Sequence, residues 1–398
     1  MKKLLYVNLD FKKYQNKAKA QIKSFKKLNL HTEIATIENE VNDCFFRIYK
    51  YDKDDEFVVV YSKKICNAYE VQQGNNSIFS LFKRLVKTIR INNLFKKNLL
   101  NYIDNKSYDY CYVRRIGFFV IFLKNMFKFI SKKCKVIYEI PTYPLDKYDS
   151  LLVNFAQMIE IGYFNMFIKK YLDVIPVILQ NDVKMDDKMI SIFNGVDFDK
   201  FTKVSEQKPD FKTEIKLVVI AHILSWHGYD RLINSLKIYE GNYKIKLYIY
   251  SDFNTETLKL KELVEKNGLS NNVFFMGSKN MDEIIDEISN YHIAIGSLGY
   301  HRRNGKYDTS IKNKEYCALG LPIVCSAEDL SFNDNFNYIY KVSADDSTFD
   351  IDDIIVWYKN IYKTDYKKNM RKYAKDNLSF EKYYKKIFTK VGEVDEKR

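Results

Sequence analysis

The sequence predicts an α/β chain built as two successive domains, each an open, mostly parallel sheet layered with helices. Three observations carry this reading. Short β-branched or aromatic runs alternate with longer helical patterns, which is the signature of βαβ units. The alternation starts twice, at the N-terminus and again near Thr213, with a turn-rich segment between the two series. The 398 residues also exceed the roughly 250 to 300 at which a single core stops growing.

In the first series LLYVNL reads as a strand, residues 16–28 as a helix and HTEIATI as a strand. YKYDKDDEFVVVYSKK then reads as an inserted hairpin, followed by the strand YDYCYVRR, a helix near 118–132 and the strand KVIYEI. The second series runs KLVVIAHI, YDRLINSLKIY, KIKLYIYS, TETLKLKELVEKNG, NNVFFMG, MDEIIDEISN, HIAIGSL, IKNKEYCALG and LPIVCS, as strand and helix in turn. Gly268 and Gly320 stand where helices should stop. Between the series, SIFNGVDFDKFTKVSEQKPDF has the turn chemistry and charge of a linker, and beyond Thr348 the pattern is helical and strongly charged. Hydrophobic residues make up 46% of the chain, enough for two cores, which excludes a disordered chain.

The net charge of +14 is one-sided. Residues 1–150 hold 29 basic and 15 acidic side chains, 29 − 15 = +14, whereas 151–398 hold 36 of each. An anionic partner is therefore expected on the first half: a phosphorylated substrate, an acidic membrane surface or a nucleic acid. The six cysteines form no C-x-x-C pair and no cluster with histidine, which points to a reducing compartment and away from structural zinc. The start MKKLLYVNLDFKK reads as a buried strand, not a signal peptide. The most lipid-like run, 116–130, is cut by Lys124, Asn125 and Lys128, so no transmembrane span is expected. Residues 77–100 space Phe79, Phe82, Leu85, Val86, Ile89 and Leu94 against basic residues. Such a helix fits an anionic membrane surface, or equally a sheet-covering helix with a solvated face.

The chemistry-bearing stretch is SIKNKEYCALGLPIVCS, 310–326. Ser310 is a plausible N-cap, and a helix that starts after the strand HIAIGSL opens at the mouth of the domain, where ligands of open α/β sheets bind. Glu315, just over one turn in, can accept hydrogen bonds from sugar or ribose hydroxyls, while Ile311, Lys312 and Lys314 surround it and the two lysines are expected within reach of a phosphate. A solvated charged face is the competing reading. The upstream loop GSLGYHRRNGKYD, with His301, Arg302, Arg303 and Asp308, is too long for a minimal connection, and loops of that kind are often functional. In the first half, Arg114 and Arg115 end a strand, and Glu139, Thr142 and Tyr143 follow the next one. These five are the candidate acceptor residues; Tyr143-Pro144 is alternatively a rigid turn.

The segment E-Y-C-A-L-G-L-P-I-V resembles the E-A-x-A-x-G-x-P-V-V element of the retaining nucleotide-sugar glycosyltransferases of family 4. Asn194-Gly195-Val196-Asp197 with Phe201, AHILSWHGYDRLINS and VFFMGSK are similar to further elements of that family, in order and at consistent spacing. YDYCYVRR with VIYEIPTYPLDKY is similar to members that build bacterial capsular or exopolysaccharides. The resemblance spans nearly the whole chain.

It implies a GT-B fold: two Rossmann-like domains facing a central cleft, with the C-terminal helices crossing back to the first domain. The implied division is 1–192 for acceptor binding, 193–212 as linker, 213–375 for the nucleotide-sugar and 376–398 as the returning helix. The implied activity is retaining, metal-independent transfer, of hexosyltransferase type, from a nucleotide diphosphate-sugar, UDP- or GDP-linked, to a surface polysaccharide or a polyprenyl-linked glycan. No cofactor, metal or nucleic acid is implied, and the expected place is the cytoplasm or the inner face of the cell membrane.

Residue by residue, Glu315 matches the second acid of the family's E-x7-E element, and Tyr307 stands where the first acid should be, with Asp308 beside it. Glu315, Arg302 and Asp308 are the candidate catalytic groups. His222 and His227 match the family's diphosphate-binding Arg and Lys; neutral imidazoles are weaker phosphate ligands, and Arg302 and Arg303, with Lys306 or Lys312, would supply the missing charge. The candidate donor set is completed by Trp226, Gly228, Arg231, Gly277, His301, Ser310 and Ile311. His222 is equally readable as a strand-end histidine, Trp226 as packing and Arg231 as a surface ion pair. The rival functions are a related epimerase-like or inactive member, which would bind nucleotide without transfer, and a basic nucleic-acid-binding protein, which would bind in a salt-sensitive way.

Overall fold

A computed structural model describes residues 2–396 apart from 10, 13–14, 41–42, 52–55, 68–77, 117–122 and 146–150. The chain divides into two compact units. The first comprises Met1–Ile178, Lys184–Ile192 and Tyr383–Arg398; the second comprises Leu179–Val183 and Phe193–Lys382.

In the first unit the elements are β1 (Lys2–Val7), α1 (Gln15–Lys27), β2 (Leu30–Glu40), β3 (Asp43–Tyr51), β4 (Phe57–Asn67), α2 (Ile78–Asp104), β5 (Tyr110–Arg114), α3 (Lys124–Ile130), β6 (Lys135–Tyr143), α4 (Leu151–Tyr163), β7 (Ile175–Leu179) and β8 (Met189–Ser191). They form one eight-stranded sheet of order β4-β3-β2-β1-β5-β6-β7-β8. The inserted hairpin is the antiparallel β3–β4 pair at one edge; β2, β1, β5 and β6 run parallel. Leu4 to Val7 are buried to the last residue, as a central strand covered on both faces must be. Helix α1 buries Ala18, Ile22 and Phe25, spaced at i, i+4 and i+7.

The second unit contains β9 (Glu214–Ile220), α5 (Tyr229–Lys237), β10 (Lys244–Tyr250), α6 (Thr255–Lys266), β11 (Val273–Gly277), α7 (Met281–Ile285), β12 (Ile293–Ile295), α8 (Ile311–Leu319), β13 (Ile323–Cys325), β14 (Ile339–Lys341), α9 (Ile351–Tyr362) and α10 (Tyr366–Asn377). Its sheet is parallel throughout, in the order β11-β10-β9-β12-β13-β14. Numbered within the unit this is 3-2-1-4-5-6, the Rossmann order, and the chain reverses direction across the sheet between β9 and β12. Gly320 closes α8 in the left-handed region at φ 70°, as its position after the apolar run suggested.

Two boundaries differ from expectation. Residues 193–212 are not a free linker but part of the second unit, because Phe201 and Val204 are buried in its core and Arg371 donates to the Phe201 carbonyl at 2.9 Å. The last helix, α11 (Phe380–Glu396), contributes Tyr383 onward to the first unit, where the Tyr384 ring lies 4.5 Å from Phe25 and its hydroxyl accepts from Gln21. Residues 376–382 stay with the second unit.

Of the residues spaced along 77–100, Ile89 and Leu94 of α2 are half-buried and Val86 is exposed, while Phe95 and Leu99 of the same helix are buried; the side chains of Phe79, Phe82 and Leu85 lie outside the described residues. Among the described residues no helix is long and apolar enough to cross a membrane.

Candidate active site

The reversal point of the second sheet lies between the C-terminal ends of β9 and β12, and the two loops that leave there are fastened to each other. Gly228, at φ 66°, has space for no side chain: a Cβ would fall 2.4 Å from the Gly299 nitrogen. The Leu298 nitrogen donates to the His227 carbonyl at 2.8 Å, so the loop after β9 and the loop after β12 meet backbone to backbone. Only glycine permits both the left-handed turn and that approach.

Within the first loop, His227 is buried and its Nδ1 accepts from the Leu224 amide at 3.1 Å. That bond fixes the proton on Nε2. Burial, with the positive charges of Lys312, His222 and Arg303 adding to it, pushes the imidazole pKa down to about 2. His227 is thus a neutral donor and does not take the place of a cationic phosphate ligand. His222 is exposed, and its Nδ1 lies 2.9 Å from the Asp252 carboxylate. Asp252 lies just past the end of β10, and Gly277, at the end of β11, turns at φ 76° with open space around it.

Trp226 gathers the basic side chains of the site. The Arg303 guanidinium lies 4.7 Å above its ring and Lys312 Nζ lies 5.7 Å from it, with Tyr300 edge-on at 5.7 Å. Lys312 is half-buried, 3.5 Å from the Tyr229 hydroxyl. Burial pushes its pKa down to about 8, against the pull of Asp308. A bound anion would reverse that penalty.

The N-terminus of α8 is uncapped. Ser310 has the extended backbone of an N-cap, φ −60° and ψ 152°, but its side chain makes no capping bond, and its Oγ is buried without a hydrogen-bond partner. Asp308 is buried; Oδ1 accepts from the Ser310 amide at 3.0 Å and Oδ2 is without a partner. Ile311 and Glu315 are half-buried along the same helix. Burial raises the Glu315 pKa, with Lys200 opposing, and among the described residues its carboxylate has no hydrogen-bond or ion-pair partner. An uncapped helix start, a desolvated lysine and an unpartnered carboxylate one turn later form a place for an anion carrying hydroxyl groups.

Several candidates are removed by their partners. Arg231 is 1% exposed and its donors are taken: it donates to the carbonyls of Ser347 (2.8 Å), Ser343 (3.0 Å) and Leu298 and to Ser343 Oγ (3.1 Å), and it makes an ion pair with the exposed Asp345 at 3.5 Å. Arg302 is not available to substrate either. Its guanidinium takes both Asp230 oxygens at 2.8 Å, Asp346 at 2.7 Å and the Ser225 carbonyl at 2.9 Å. His301 Nε2 lies 3.1 Å from the same Asp346. Lys314 is fully buried against Asp329 at 2.7 Å and cannot reach a phosphate.

In the first unit, Glu139 is turned into the protein. It is 1% exposed and accepts from the Tyr112 hydroxyl at 2.7 Å, and with Tyr6 it holds the Arg114 guanidinium charged. Arg115 leans toward Glu160 at 3.9 Å. Arg115, Tyr143 and cis-Pro144 line a mainly apolar pocket of about 160 Å³, with Ile140, Leu145 and Phe164. Thr142 is half-buried beside it in sequence. Among the described residues no group of three or more His, Cys, Asp or Glu is placed to hold a metal ion.

Sequence reasoning missed Asp230, Asp346, Asp329 and Asp182. Each is an ordinary surface-type acid until the fold brings a basic or phenolic partner to it. No spacing rule links Asp230 to Arg302, 72 residues on.

Residues 200–337 match the family model of glycosyl transferases group 1. An uncharacterized glycosyltransferase of Methanocaldococcus jannaschii is 28% identical over 214 residues, which is 50% of this chain and 50% of that protein. The chain thus spans about half the length of the curated relative that it matches. Among solved structures, a glycosyltransferase from Rickettsia africae aligns with TM-score 0.64 at 14% identity over 99% of this chain and 98% of that one. The catalytic domain of starch synthase IV from Arabidopsis thaliana, bound to ADP and acarbose, aligns at 0.63 and 8% identity over 98% and 99%. The Anabaena protein HepE in complex with UDP aligns at 0.56 and 10% identity over 100% and 99%. The fold is GT-B, with two Rossmann-like domains.

Proposed function

We propose that this chain is a glycosyltransferase that moves a sugar from a nucleotide diphosphate-sugar to a surface polysaccharide or its lipid-linked precursor, with retention at the anomeric carbon. The observation that carries the reading is the uncapped start of α8, with Ser310 Oγ buried and unpartnered, Lys312 and Arg303 both gathered at Trp226, and Glu315 one turn along the same helix. The glycosyl transferase group 1 match over 200–337 covers these residues.

In this reading the developing charge on the departing diphosphate is met by the first-turn N–H groups of α8 and by Lys312, which a neighbouring anion restores to full protonation. Neutral His227 donates through Nε2, and Arg303 is held over Trp226 within the same group. Glu315 accepts from the ribose hydroxyls. Arg302 acts indirectly, by fixing the loop that carries Arg303 to Asp230 and Asp346. The donor is proposed to be UDP- or GDP-linked, and the basic first unit to supply the acceptor. Retention, hexosyl transfer, a role in capsule building and independence of metal rest on the family resemblance.

The test is thermal unfolding with UDP-, GDP-, ADP- and CMP-sugars, followed by product analysis with the donor that shifts the transition. One class of donor should stabilise the protein, and Lys312→Met should abolish the shift. The reading fails if no nucleotide-sugar raises the melting temperature and none is turned over.

A further inference from the structure

Helix α4 is amphipathic in the wrong sense. It buries its polar residues, Gln157 at 7% and Glu160 at 5% exposure, and turns its large apolar side chains outward. Leu151 is 85% exposed, Phe155 61%, Met158 69% and Ile159 51%, and Met166 in the turn that continues the helix is 68% exposed. The spacing 151, 155, 158, 159 and 166 keeps these side chains on one stripe, and buried 157 and 160 define the opposite one. A contiguous apolar face of that kind needs a cover.

We propose that this face docks the protein on an anionic lipid surface, a role the sequence had suggested for 77–100. Geometry limits the mode. Thirteen helical residues rise roughly 20 Å, short of the roughly 30 Å hydrocarbon core, so the helix lies in the interface and does not span it. Charge selects the occupant. Between residues 151 and 171 the one acid is buried Glu160, whereas Lys170 is exposed; Lys169, just after the stripe, is ion-paired with Asp186. Lys124 Nζ lies 4.9 Å from the Phe167 ring, which adds a second cation at the same end, and Lys128 is exposed on the same α3. Two copies of this face packed together would bring like charges together, which disfavours self-association. Phospholipid headgroups of negative charge satisfy both the apolar stripe and its basic end. The inference does not depend on the reaction proposed above.

The experiment is co-sedimentation of the full chain with vesicles of phosphatidylcholine and phosphatidylglycerol, and with phosphatidylcholine alone. Binding should require the anionic lipid and weaken with salt. The partition coefficient should fall about tenfold or more in Phe155→Ser/Met158→Ser, since two large apolar side chains are withdrawn from the lipid. Leu151→Ser should give a smaller loss, while charge reversal at Lys83, Arg84 and Lys87 should leave most binding in place. The proposal is overturned if the wild-type protein stays in the supernatant, or if the double variant binds as the wild type does. It is also overturned if sedimentation velocity shows a dimer that the double variant dissolves. Melting temperature and nucleotide-sugar shifts measured on the same samples should not change, which separates failure of this inference from failure of the donor site.

Discussion

The phenol of Tyr307 donates a hydrogen bond to Asp182, a residue 125 positions earlier in the chain, and Lys306 Nζ reaches the other oxygen of the same carboxylate at 2.7 Å. The Lys306 and Tyr307 amides both donate to the Gln180 carbonyl at 2.9 Å, so residues 180–182 are strapped to the loop that leads into α8. Tyr307 stands where the family resemblance puts an acid, and the acid beside it comes from elsewhere in the chain. The Lys306 ammonium and the Tyr307 phenol hold the Asp182 carboxyl below its ordinary range. Installing the family's residue here, Tyr307→Glu, would set two carboxylates against each other. The melting temperature should fall by a few degrees and turnover should not rise, whereas Tyr307→Glu with Asp182→Asn should recover the loss. Differential scanning fluorimetry and a transfer assay on the two variants decide it.

Glu315 gives a prediction in which stability and function move apart. Burial raises its folded pKa above the unfolded value, so the folded state binds the proton more tightly. The sign follows: stability is greatest below the unfolded pKa and declines as pH rises through the folded one. Glu315→Gln should therefore raise the melting temperature at neutral pH and have little effect near pH 4 to 5. Nucleotide-sugar binding or turnover should fall at least about tenfold, the loss of one charged hydrogen-bonding partner. Unchanged kinetics would remove Glu315 from the site.

Arg231 should behave as a structural residue. Its guanidinium, itself buried, joins α5 to the loop after β12 and to residues 343–347 through backbone carbonyls. Arg231→Ala leaves those acceptors without donors and should cost about 3 to 5 kcal/mol in chemical denaturation. Arg231→Lys should recover little, since one ammonium cannot reproduce the planar fork. Gly228→Ala, which drives a Cβ into the Gly299 backbone, should weaken nucleotide-sugar binding by separating the same two loops.

Lys367 offers a gain. It is 1% exposed, its Nζ has no hydrogen-bond partner among the described residues, and burial beside Arg371 pushes its pKa down to about 8. A base whose folded pKa is lowered costs stability while it is charged, and that cost fades as pH rises from the folded to the unfolded value. Lys367→Met should stabilise the protein at neutral pH by up to about 3 kcal/mol, judged by the pKa difference. The advantage should shrink between pH 8 and 10, and a variant less stable than wild type at pH 7 would contradict the assignment.

The sequence by itself determined the alternation of strand and helix, the restart near Thr213, the start of α8 after Ser310 and its stop at Gly320. Those features are local: hydrophobic period, turn chemistry and helix-end preferences act over a few residues. It also singled out Trp226, Gly228, Arg303, Lys312 and Glu315, because a loop too long for its connection and an acid after a helix start are visible in one dimension. What only the tertiary structure decided was which charges remain available. Arg302, Arg231 and Lys314 look in sequence like phosphate ligands, yet each is taken by a carboxylate or carbonyl from a distant segment, and Lys312 is left with a lowered pKa. Only the structure, too, showed α4 with its apolar side outward, since a helical stripe carries no mark of which face the core will take. Pairing and burial depend on neighbours tens to hundreds of residues away, and those neighbours are fixed by the packing of the sheets.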